Sequence, residues 1–381
     1  MRALDDAVSI EDLRSIARRR LPPRVFDFID GGADDEVALR RNRSEFDRAT
    51  LHGRPLHDTS VMDTSARLWT ETAPSPLIVA PMGACGFAWP DADVEIARAA
   101  TQAALPYVLS TFSNTRIEDL ARLVQGRLWY QLYPLRDRSL THGLVFRALA
   151  ADYQALVVTL DVAAPGNRER DRRHAATSVG ARLRNFAGFA TRPIWCAGVA
   201  ARGLPRFVNL GNSTSATGGT LATNAGLQVS DAVTWEELER LRERWPRKFI
   251  VKGIQHPSDA QRLTAMGVDA VWMSNHGGRQ LDAAPGTLSL LCGLGAQERG
   301  RALVIADSGF RRGSDVLKAL MHGADAVALG RAVLYGAAAG GGAGAAKALN
   351  IIQAELVRTM RLCGMSALPP KHTAPLPTSF P

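Results

Sequence analysis

Eight short apolar runs recur along this chain, and each is followed by polar residues or glycine. The runs are nearly continuous rather than alternating, which is typical of parallel strands that are covered on both faces. Helical patterns of suitable length separate most of them, and 381 residues are ample for a (β/α)8 barrel of roughly 250 residues with appendages. The fold class that we predict is therefore α/β, a (β/α)8 TIM barrel. The predicted strands lie at 77–80, 107–110, 128–133, 156–161, 249–253, 270–274, 303–307 and 327–330.

Outside these strands, the chain divides into segments of one domain. Ser9 and Asp12 have the spacing of a capping box, which predicts a helix that runs to Arg20. Only the gap from residue 161 to residue 248 is long, and long loops inside a compact domain are usually functional or disordered. We predict one domain, 1–381, which comprises a mostly helical N-terminal cover at 1–70, a barrel at 75–363 and a tail at 364–381. The barrel contains a basic insertion after strand four at 172–231, an alanine and glycine tract at 336–346 and a closing helix at 348–363.

The net charge of +9 belongs mainly to the insertion. No acidic residue lies between Asp171 and Asp231, whereas seven arginines do, and the remainder of the chain is close to neutral. Basic and aromatic residues do not interleave elsewhere, so nucleic acid is not an expected partner. The four cysteines lack CxxC spacing, which argues against a metal site and a disulfide framework. Residues 1–20 lack the apolar core of a secretory signal, so the simplest expectation is a reducing cytosolic compartment.

Polar residues and glycines collect where the predicted strands end, and a barrel brings all of those ends to one face. A single polar residue at a strand end is equally well explained as surface polarity, but the recurrence at all eight ends indicates one site. In chain order, the strand-end residues are Pro81, Met82, Gly83, Ser110, Gln131, Tyr133, Thr159, Asp161, Lys252, His276, Arg279, Asp307, Gly330 and Arg331.

Residues 274–282, Ser-Asn-His-Gly-Gly-Arg-Gln-Leu-Asp, follow the sixth predicted strand. His276 can take a proton near neutral pH, and Arg279 offers a planar fork of donors for a carboxylate. An isolated His-Gly-Gly-Arg is better explained as a polar turn with solvated side chains. Its place among the other strand ends favours a site that deprotonates a small acid.

Two glycine- and arginine-containing loops have the composition of a phosphate site, and barrels often bind phosphate after strands seven and eight. They begin at Asp307 and Gly330, and the first continues through Gly309 to Arg311. Gln131, Thr159 and Lys252 would line a flat polar heterocycle, with the lysine stabilising negative charge on a reduced flavin. No GxGxxG or Walker loop occurs in its required context, so a nicotinamide cofactor is not expected.

The chain resembles the FMN-dependent (S)-2-hydroxy acid oxidase and dehydrogenase family over nearly its whole length. Within the family, the similarity is strongest to bacterial mandelate dehydrogenases and membrane-associated L-lactate dehydrogenases. The motifs that carry the resemblance are 274–282, Gln131-Leu132-Tyr133, Thr159-Leu160-Asp161, Lys252-Gly253-Ile254, Asp307-Ser308-Gly309 and Leu329-Gly330-Arg331.

The resemblance implies oxidation of a mandelate-like acid or of L-lactate, with FMN as cofactor and a homo-tetrameric assembly. It implies that His276 is the base and that Asp161 holds it. It further implies that Arg279 and Arg168 bind the substrate carboxylate, that Tyr133 bonds the substrate, and that Lys252 lies beside the flavin. The residues that would hold FMN are Pro81, Met82, Gly83, Ser110, Gln131, Thr159, Lys252, Ser274, Asp307, Gly309, Arg311, Gly330 and Arg331.

Two positions depart from the family pattern or divide it. Phe28 stands where the family usually has a tyrosine that bonds the substrate carboxylate, and an aromatic wall there favours an aryl substrate over lactate. Gly83 stands where the oxidases tend to carry alanine, which favours a quinone or another respiratory-chain acceptor over oxygen. The alternatives are an oxidase that releases hydrogen peroxide and a catalytically silent flavin-binding barrel.

Residues 181–210 combine apolar and aromatic side chains with five arginines, the mixture expected of an interfacial membrane segment. The competing interpretation is a mobile lid over the site. The resemblance to membrane-associated relatives favours peripheral attachment to the cytoplasmic side of the inner membrane.

Overall fold

A computed structural model describes residues 2–175, 179–210, 228–295, 298 and 300–369. Eight parallel strands, β3 to β10, form a closed barrel in which each strand pairs with the next along the chain and β10 pairs with β3. This confirms the predicted (β/α)8 fold, and every predicted strand overlaps an observed one. The barrel strands are β3 Leu77–Val79, β4 Tyr107–Ser110, β5 Leu128–Leu132, β6 Ala155–Thr159, β7 Lys248–Ile254, β8 Ala270–Met273, β9 Leu303–Ala306 and β10 Ala326–Leu329.

A short hairpin, β1 Ala66–Leu68 and β2 Glu71–Ala73, plugs the amino-terminal end of the barrel. Its Trp69 ring lies 5.5 Å from Trp129, which fills the barrel interior, and its Nε1 donates to the carbonyl of Asp269 at 2.9 Å. The prediction of a mostly helical segment at 1–70 is therefore wrong beyond residue 48. Three-residue strands leave too short a periodic pattern for sequence to reveal, and tertiary burial stabilises them instead.

Four helices precede the hairpin: α1 Arg2–Asp5, α2 Ile10–Arg20, α3 Pro23–Asp30 and α4 Val37–Arg48. The predicted helix is confirmed as α2, with Ser9 as its N-cap. The Ser9 hydroxyl accepts from the backbone N–H of Asp12 at 3.1 Å, but the Asp12 carboxylate accepts from the N–H of Val8 at 3.0 Å, one residue before the N-cap. Helices α3 and α4 supply residues to the carboxyl end of the barrel, so the cover contributes to the site as well as to the core.

Helices alternate with the strands around the barrel. Those outside the long insertion are α5 Ala92–Gln102, α6 Ile117–Leu123, α7 Arg138–Ala150, α11 Trp235–Arg244, α12 Pro257–Ala265, α13 Thr287–Cys292, α14 Gly313–Met321 and α15 Arg331–Leu362. The alanine and glycine tract is not a separate segment, because it lies within α15, which consists of two helical stretches that meet in a kink at Gly340 and Gly341, where the backbone angles are not helical.

The insertion after β6 folds back on the N-terminal cover. Its helices are α8 Glu169–Ala175, α9 Val179–Ala190 and α10 Pro193–Arg202, while 176–178 and 211–227 of the predicted insertion lie outside the described residues. Arg170 donates to Asp30 at 3.2 Å and also binds Glu36, and His174 contacts Asp27 at 2.7 Å. In the part of the chain that the structure describes, no helix is both long enough and apolar enough to span a bilayer.

The bend in α15 predicts a specific sensitivity to substitution. A Cβ on Gly336 would lie 2.2 Å from the carbonyl oxygen of Gly344, so Gly336→Ala should lower the free energy of unfolding by about 1–3 kcal/mol. The control is Gly143→Ala in α7, where an added Cβ has no heavy atom within 4 Å and should stabilise by about 0.5–1 kcal/mol. Thermal denaturation of both variants measures this, and an unchanged melting temperature for Gly336→Ala would contradict the close packing.

Candidate active site

The carboxyl ends of the barrel strands surround one cavity, and most of the residues predicted from sequence line it. Gln131, Asp161 and Ser274 lie behind this lining, where they hydrogen-bond to Ser110, His276 and Lys252. The predicted residues that line the cavity are Phe28, Pro81, Met82, Gly83, Ser110, Tyr133, Thr159, Arg168, Lys252, His276, Arg279, Asp307, Gly309, Arg311, Gly330 and Arg331.

His276 is held between a carboxylate and a phenol. Its Nδ1 lies 2.9 Å from Asp161 Oδ1, and its Nε2 lies 3.3 Å from the Tyr133 hydroxyl. Because a carboxylate only accepts, Nδ1 carries the proton and Nε2 presents a lone pair towards the cavity. Burial alone would raise the pKa of Asp161, but the charge that His276 carries once protonated, the charge of Lys252 and the His276 hydrogen bond hold it below its ordinary value. The pair is therefore arranged as a base with an ionised partner.

Tyr133 remains a neutral donor in this environment. Burial, followed by the nearby charge of Asp161, raises the pKa of its hydroxyl well above the ordinary value. The phenol can therefore donate a hydrogen bond to an oxygen of a bound acid across the working pH range.

Two arginines flank Phe28. The guanidinium carbons of Arg168 and Arg279 lie 5.4 Å and 5.3 Å from the centre of its ring, within the range of cation–π attraction. Arg279 donates to the carbonyl of Gly31 at 2.9 Å. Burial, with smaller contributions from Arg168 and Arg331, lowers the pKa of Arg279 to about 9. These closely spaced positive charges favour an anion such as a carboxylate.

Lys252 projects from β7 into the floor of the site and is nearly fully buried. Its Nζ donates to Ser274 Oγ at 2.9 Å and lies 3.3 Å from an Asp307 carboxylate oxygen. An ammonium held in this way supplies a fixed positive charge next to any heterocycle that occupies the cavity.

Two buried polar atoms beside the cavity fit a flat polar cofactor. Gln131 Nε2 and Thr159 Oγ1 have no hydrogen-bond partner among the described residues, although both side chains are only 1% exposed. Buried polar groups are normally paired, so a ligand with ring nitrogen and carbonyl groups would complete them. An isoalloxazine ring has such groups, and these residues therefore fit FMN.

The opposite end of the cavity has the character of a phosphate site. Ser308 and Gly309 adopt φ values of 80° and 88° after β9, Arg311 lines the cavity, and helix α15 begins directly after Gly330. The partly buried Arg331 side chain lines the cavity as well, while its Nε and Nη2 groups donate to the carbonyls of Ile29, Gly31 and Gly277. These three hydrogen bonds fix the position of its positive charge beside this end of the cavity.

An aromatic wall that sequence did not reveal lies beside Tyr133. The Phe112 ring is 5.1 Å from Tyr133 and 5.4 Å from Phe207, and all three line the cavity. Phe112 follows the second barrel strand closely, so a wider search of strand ends would have included it. Phe207 belongs to the segment predicted to contact a membrane, yet it is only 5% exposed and faces the site.

A (β/α)8 barrel with a phosphate-binding end, unpaired buried groups for a flat ring and a His–Asp pair defines a flavin-dependent oxidoreductase. The chain belongs to the FMN-dependent dehydrogenase family, whose profile matches residues 17–372. FMN is therefore its cofactor, as the sequence predicted.

Individual relatives cover almost the whole chain. The (S)-mandelate dehydrogenase of Pseudomonas putida is 40% identical over 359 residues, which is 93% of this chain and 90% of the relative. An L-lactate dehydrogenase of Acinetobacter baumannii is 36% identical over 362 residues, covering 94% of each chain. The solved structure of the monotopic membrane protein (S)-mandelate dehydrogenase has a TM-score of 0.87 at 38% identity and covers 95% of this chain and 97% of that one.

The geometry of His276 predicts the result of its replacement. The residue has a φ of 58°, which asparagine tolerates, so His276→Asn should preserve the fold while removing the imidazole. We expect the rate of flavin reduction by a 2-hydroxy acid to fall by at least about 100-fold. The FMN content of the purified variant, read from its visible spectrum, should stay at the wild-type level. Normal anaerobic bleaching would exclude His276 as the base.

Proposed function

We propose that this protein oxidises an aryl-substituted (S)-2-hydroxy acid to the 2-oxo acid and passes the electrons to a quinone or another respiratory-chain acceptor. The observation that carries the proposal is the His276–Asp161 pair, which faces the same cavity as the guanidiniums of Arg168 and Arg279. A base opposite a carboxylate-binding pair is what removal of a proton from a 2-hydroxy acid requires.

In this mechanism, Arg168 and Arg279 bind the substrate carboxylate and fix the orientation of the α-carbon. Tyr133 donates its hydroxyl hydrogen to a substrate oxygen. His276 Nε2 then takes a proton from the α-carbon or its hydroxyl, and Asp161 stabilises the imidazolium that forms. When bound, FMN would supply the acceptor for the two electrons and for the second hydrogen. Lys252 provides positive charge where negative charge develops in the cavity.

The aromatic wall supports an aryl side chain on the substrate. Phe112, Tyr133 and Phe207 present ring faces and edges to the cavity, and aromatic contacts add about 0.5–1.5 kcal/mol beyond the area that they bury. Phe28 adds a fourth ring but cannot donate the hydrogen bond that a tyrosine would, a loss of about 1–3 kcal/mol if nothing replaced it. The relatives include an L-lactate dehydrogenase, so L-lactate is the competing substrate.

Gly83 supports a dehydrogenase over an oxygen-using oxidase. A Cβ at this position would lie 3.2 Å from Phe112 Cβ and 3.7 Å from Ser110 Oγ, so alanine would crowd the cavity wall beside the cofactor residues. The competing oxidase would release hydrogen peroxide, and the rate at which oxygen reoxidises the reduced flavin separates the two functions.

Exposed apolar side chains on the insertion support peripheral membrane attachment. Phe186, Ile194 and Leu204 are exposed over 72%, 79% and 65% of their surface, and Arg192 and Arg202 lie on the same segment. A relative described as a monotopic membrane protein has the same fold. We extend the proposal to the cytoplasmic face of the inner membrane and, by family resemblance, to a homo-tetramer that sedimentation would reveal.

The substrate proposal predicts how a panel of acids reduces the flavin anaerobically. With wild-type protein, mandelate and 4-hydroxymandelate should bleach FMN with a higher kcat/KM than lactate or glycolate. Phe207→Ala should reduce kcat/KM for mandelate by about tenfold or more, and that for lactate less, because only the aryl group contacts the wall. Phe186→Ala, on the exposed side of the insertion, is the control. Equal losses for both acids would contradict an aryl pocket at Phe207.

The membrane proposal predicts flotation of the intact protein with vesicles that contain phosphatidylglycerol. Combined replacement of Phe186, Ile194 and Leu204 by serine should weaken binding by about tenfold or more, because these side chains would enter the interface. Phe146→Ser on α7 is the matched control, since Phe146 is also 72% exposed but lies outside the insertion. Failure of the wild-type protein to float, or equal binding by the triple variant, would contradict the proposal.

A further inference from the structure

We propose that Asn42, on the N-terminal helix α4, is a positioning residue for His276 and acts through the side chain of Asn275. This inference rests on the proposed function, in which His276 is the base. Asn42 lies outside the barrel strands and belongs to none of the motifs that mark the site.

The turn that carries His276 is conformationally demanding. His276, Gly277 and Gly278 have φ values of 58°, 68° and 72°, so three successive residues occupy the left-handed region. Glycine enters this region readily, whereas histidine needs its surroundings to hold it there. The direction of the imidazole therefore depends on the groups that fix this turn.

Asn275 is the side chain that closes the turn. Its backbone carbonyl accepts from the N–H of Gly278 at 3.0 Å, and its Oδ1 accepts from the same N–H at 3.1 Å. Its Nδ2 donates to the carbonyl of Pro285 at 2.9 Å. The Asn275 amide can make both of these side-chain hydrogen bonds only when its oxygen points towards Gly278 and its nitrogen towards Pro285.

Asn42 selects that orientation by a reciprocal amide pair. Asn42 Nδ2 donates to Asn275 Oδ1 at 2.9 Å, and Asn275 Nδ2 donates to Asn42 Oδ1 at 2.8 Å. Both residues are only 1% exposed, so water cannot replace a lost partner. As long as the Asn42 amide keeps its orientation, a flipped Asn275 would place donor against donor and acceptor against acceptor.

The same turn of α4 also contacts the loop at the phosphate end of the cavity. A Cβ on Gly309 would lie 2.9 Å from Asn42 Cβ, and Arg43 donates to the Gly309 carbonyl at 2.7 Å. Arg43 also binds Asp315 at the start of α14. Helix α4 thus contacts both the turn that carries His276 and the loop that contains Gly309, and Asn42 contacts each of them.

The decisive variant is Asn42→Asp, which keeps the size of the side chain but replaces the donor to Asn275 with an acceptor. We expect anaerobic flavin reduction to slow by about 10- to 100-fold, because a small displacement of a catalytic group has effects of this size. The substrate concentration at half-maximal rate should change much less, since Arg168 and Arg279 are untouched. In the variant purified with FMN bound, the amide hydrogens of residues 276–278 should exchange with solvent faster than in the FMN-bound wild type.

Glu45→Gln is the matched control on the same helix. The Glu45 carboxylate is buried and accepts from the N–H groups of Gly286 and Ser289, so it holds the far end of the same loop without touching Asn275. Its replacement should lower the melting temperature but leave the flavin reduction rate within about twofold and the exchange of 276–278 unchanged, because the contacts that fix the turn remain.

Several outcomes would overturn the inference. One is that Asn42→Asp reduces flavin at the wild-type rate, and another is that its exchange at 276–278 matches that of Glu45→Gln. Asn42→Ser, which removes the amide pair without adding charge, should change both readouts in the same direction. Failure of both Asn42 variants to fold would assign this residue to the scaffold alone. If wild-type protein is bleached by no 2-hydroxy acid, the proposed function fails, whereas the exchange measurement still tests the role of Asn42.

Discussion

Hydrogen bonding between β10 and β3 closes the sheet, and the geometry of the site depends on that closure. Because all eight strands are parallel, their carboxyl ends meet at one rim, where residues far apart in sequence become neighbours. Asp161 and His276 are 115 positions apart and meet at 2.9 Å. Lys252 reaches Asp307 at 3.3 Å in the same way. An open sheet with the same residues would leave β3 and β10, and hence the site residues that follow these two strands, at opposite edges.

Closure also concentrates positive charge in a space that little water reaches. The two buried carboxylates at the rim are already engaged, Asp161 by His276 and Asp307 by Lys252. Arg279 and Arg331 donate to main-chain carbonyls, which engage some of their N–H groups but do not neutralise their charge. Burial lowers the pKa of both guanidiniums for this reason. Anions that bind in the cavity offset the free-energy cost of these buried positive charges. Binding of the substrate and of the cofactor phosphate should therefore stabilise the fold.

Features that repeat along the chain were predictable, and features that depend on single tertiary contacts were not. The eight strands and their polar ends follow from a pattern that recurs often enough to exclude chance. The hairpin at 66–73 has no such repeat, because each strand is three residues long and owes its conformation to the barrel interior. Phe207 looks from its neighbours like part of an exposed amphipathic segment, and only its contact with Phe112 places it in the site. Asn42 is one of many polar residues on α4, and only its hydrogen bonds with Asn275 in the structure indicate a specific role.

The N-terminal cover is therefore part of the active site in a physical sense. Helix α3 provides Phe28, whose ring lies close to the guanidiniums of Arg168 and Arg279. The chain just beyond α3 provides the Gly31 carbonyl, which accepts from Arg279 and Arg331. The same helix is joined to the insertion by the contact of Asp27 with His174 and by that of Asp30 with Arg170. Displacement of the insertion would also move α3 and hence Phe28, since these contacts are partly shielded from water. The insertion therefore reaches the substrate cavity by two routes, directly through Phe207 and indirectly through α3.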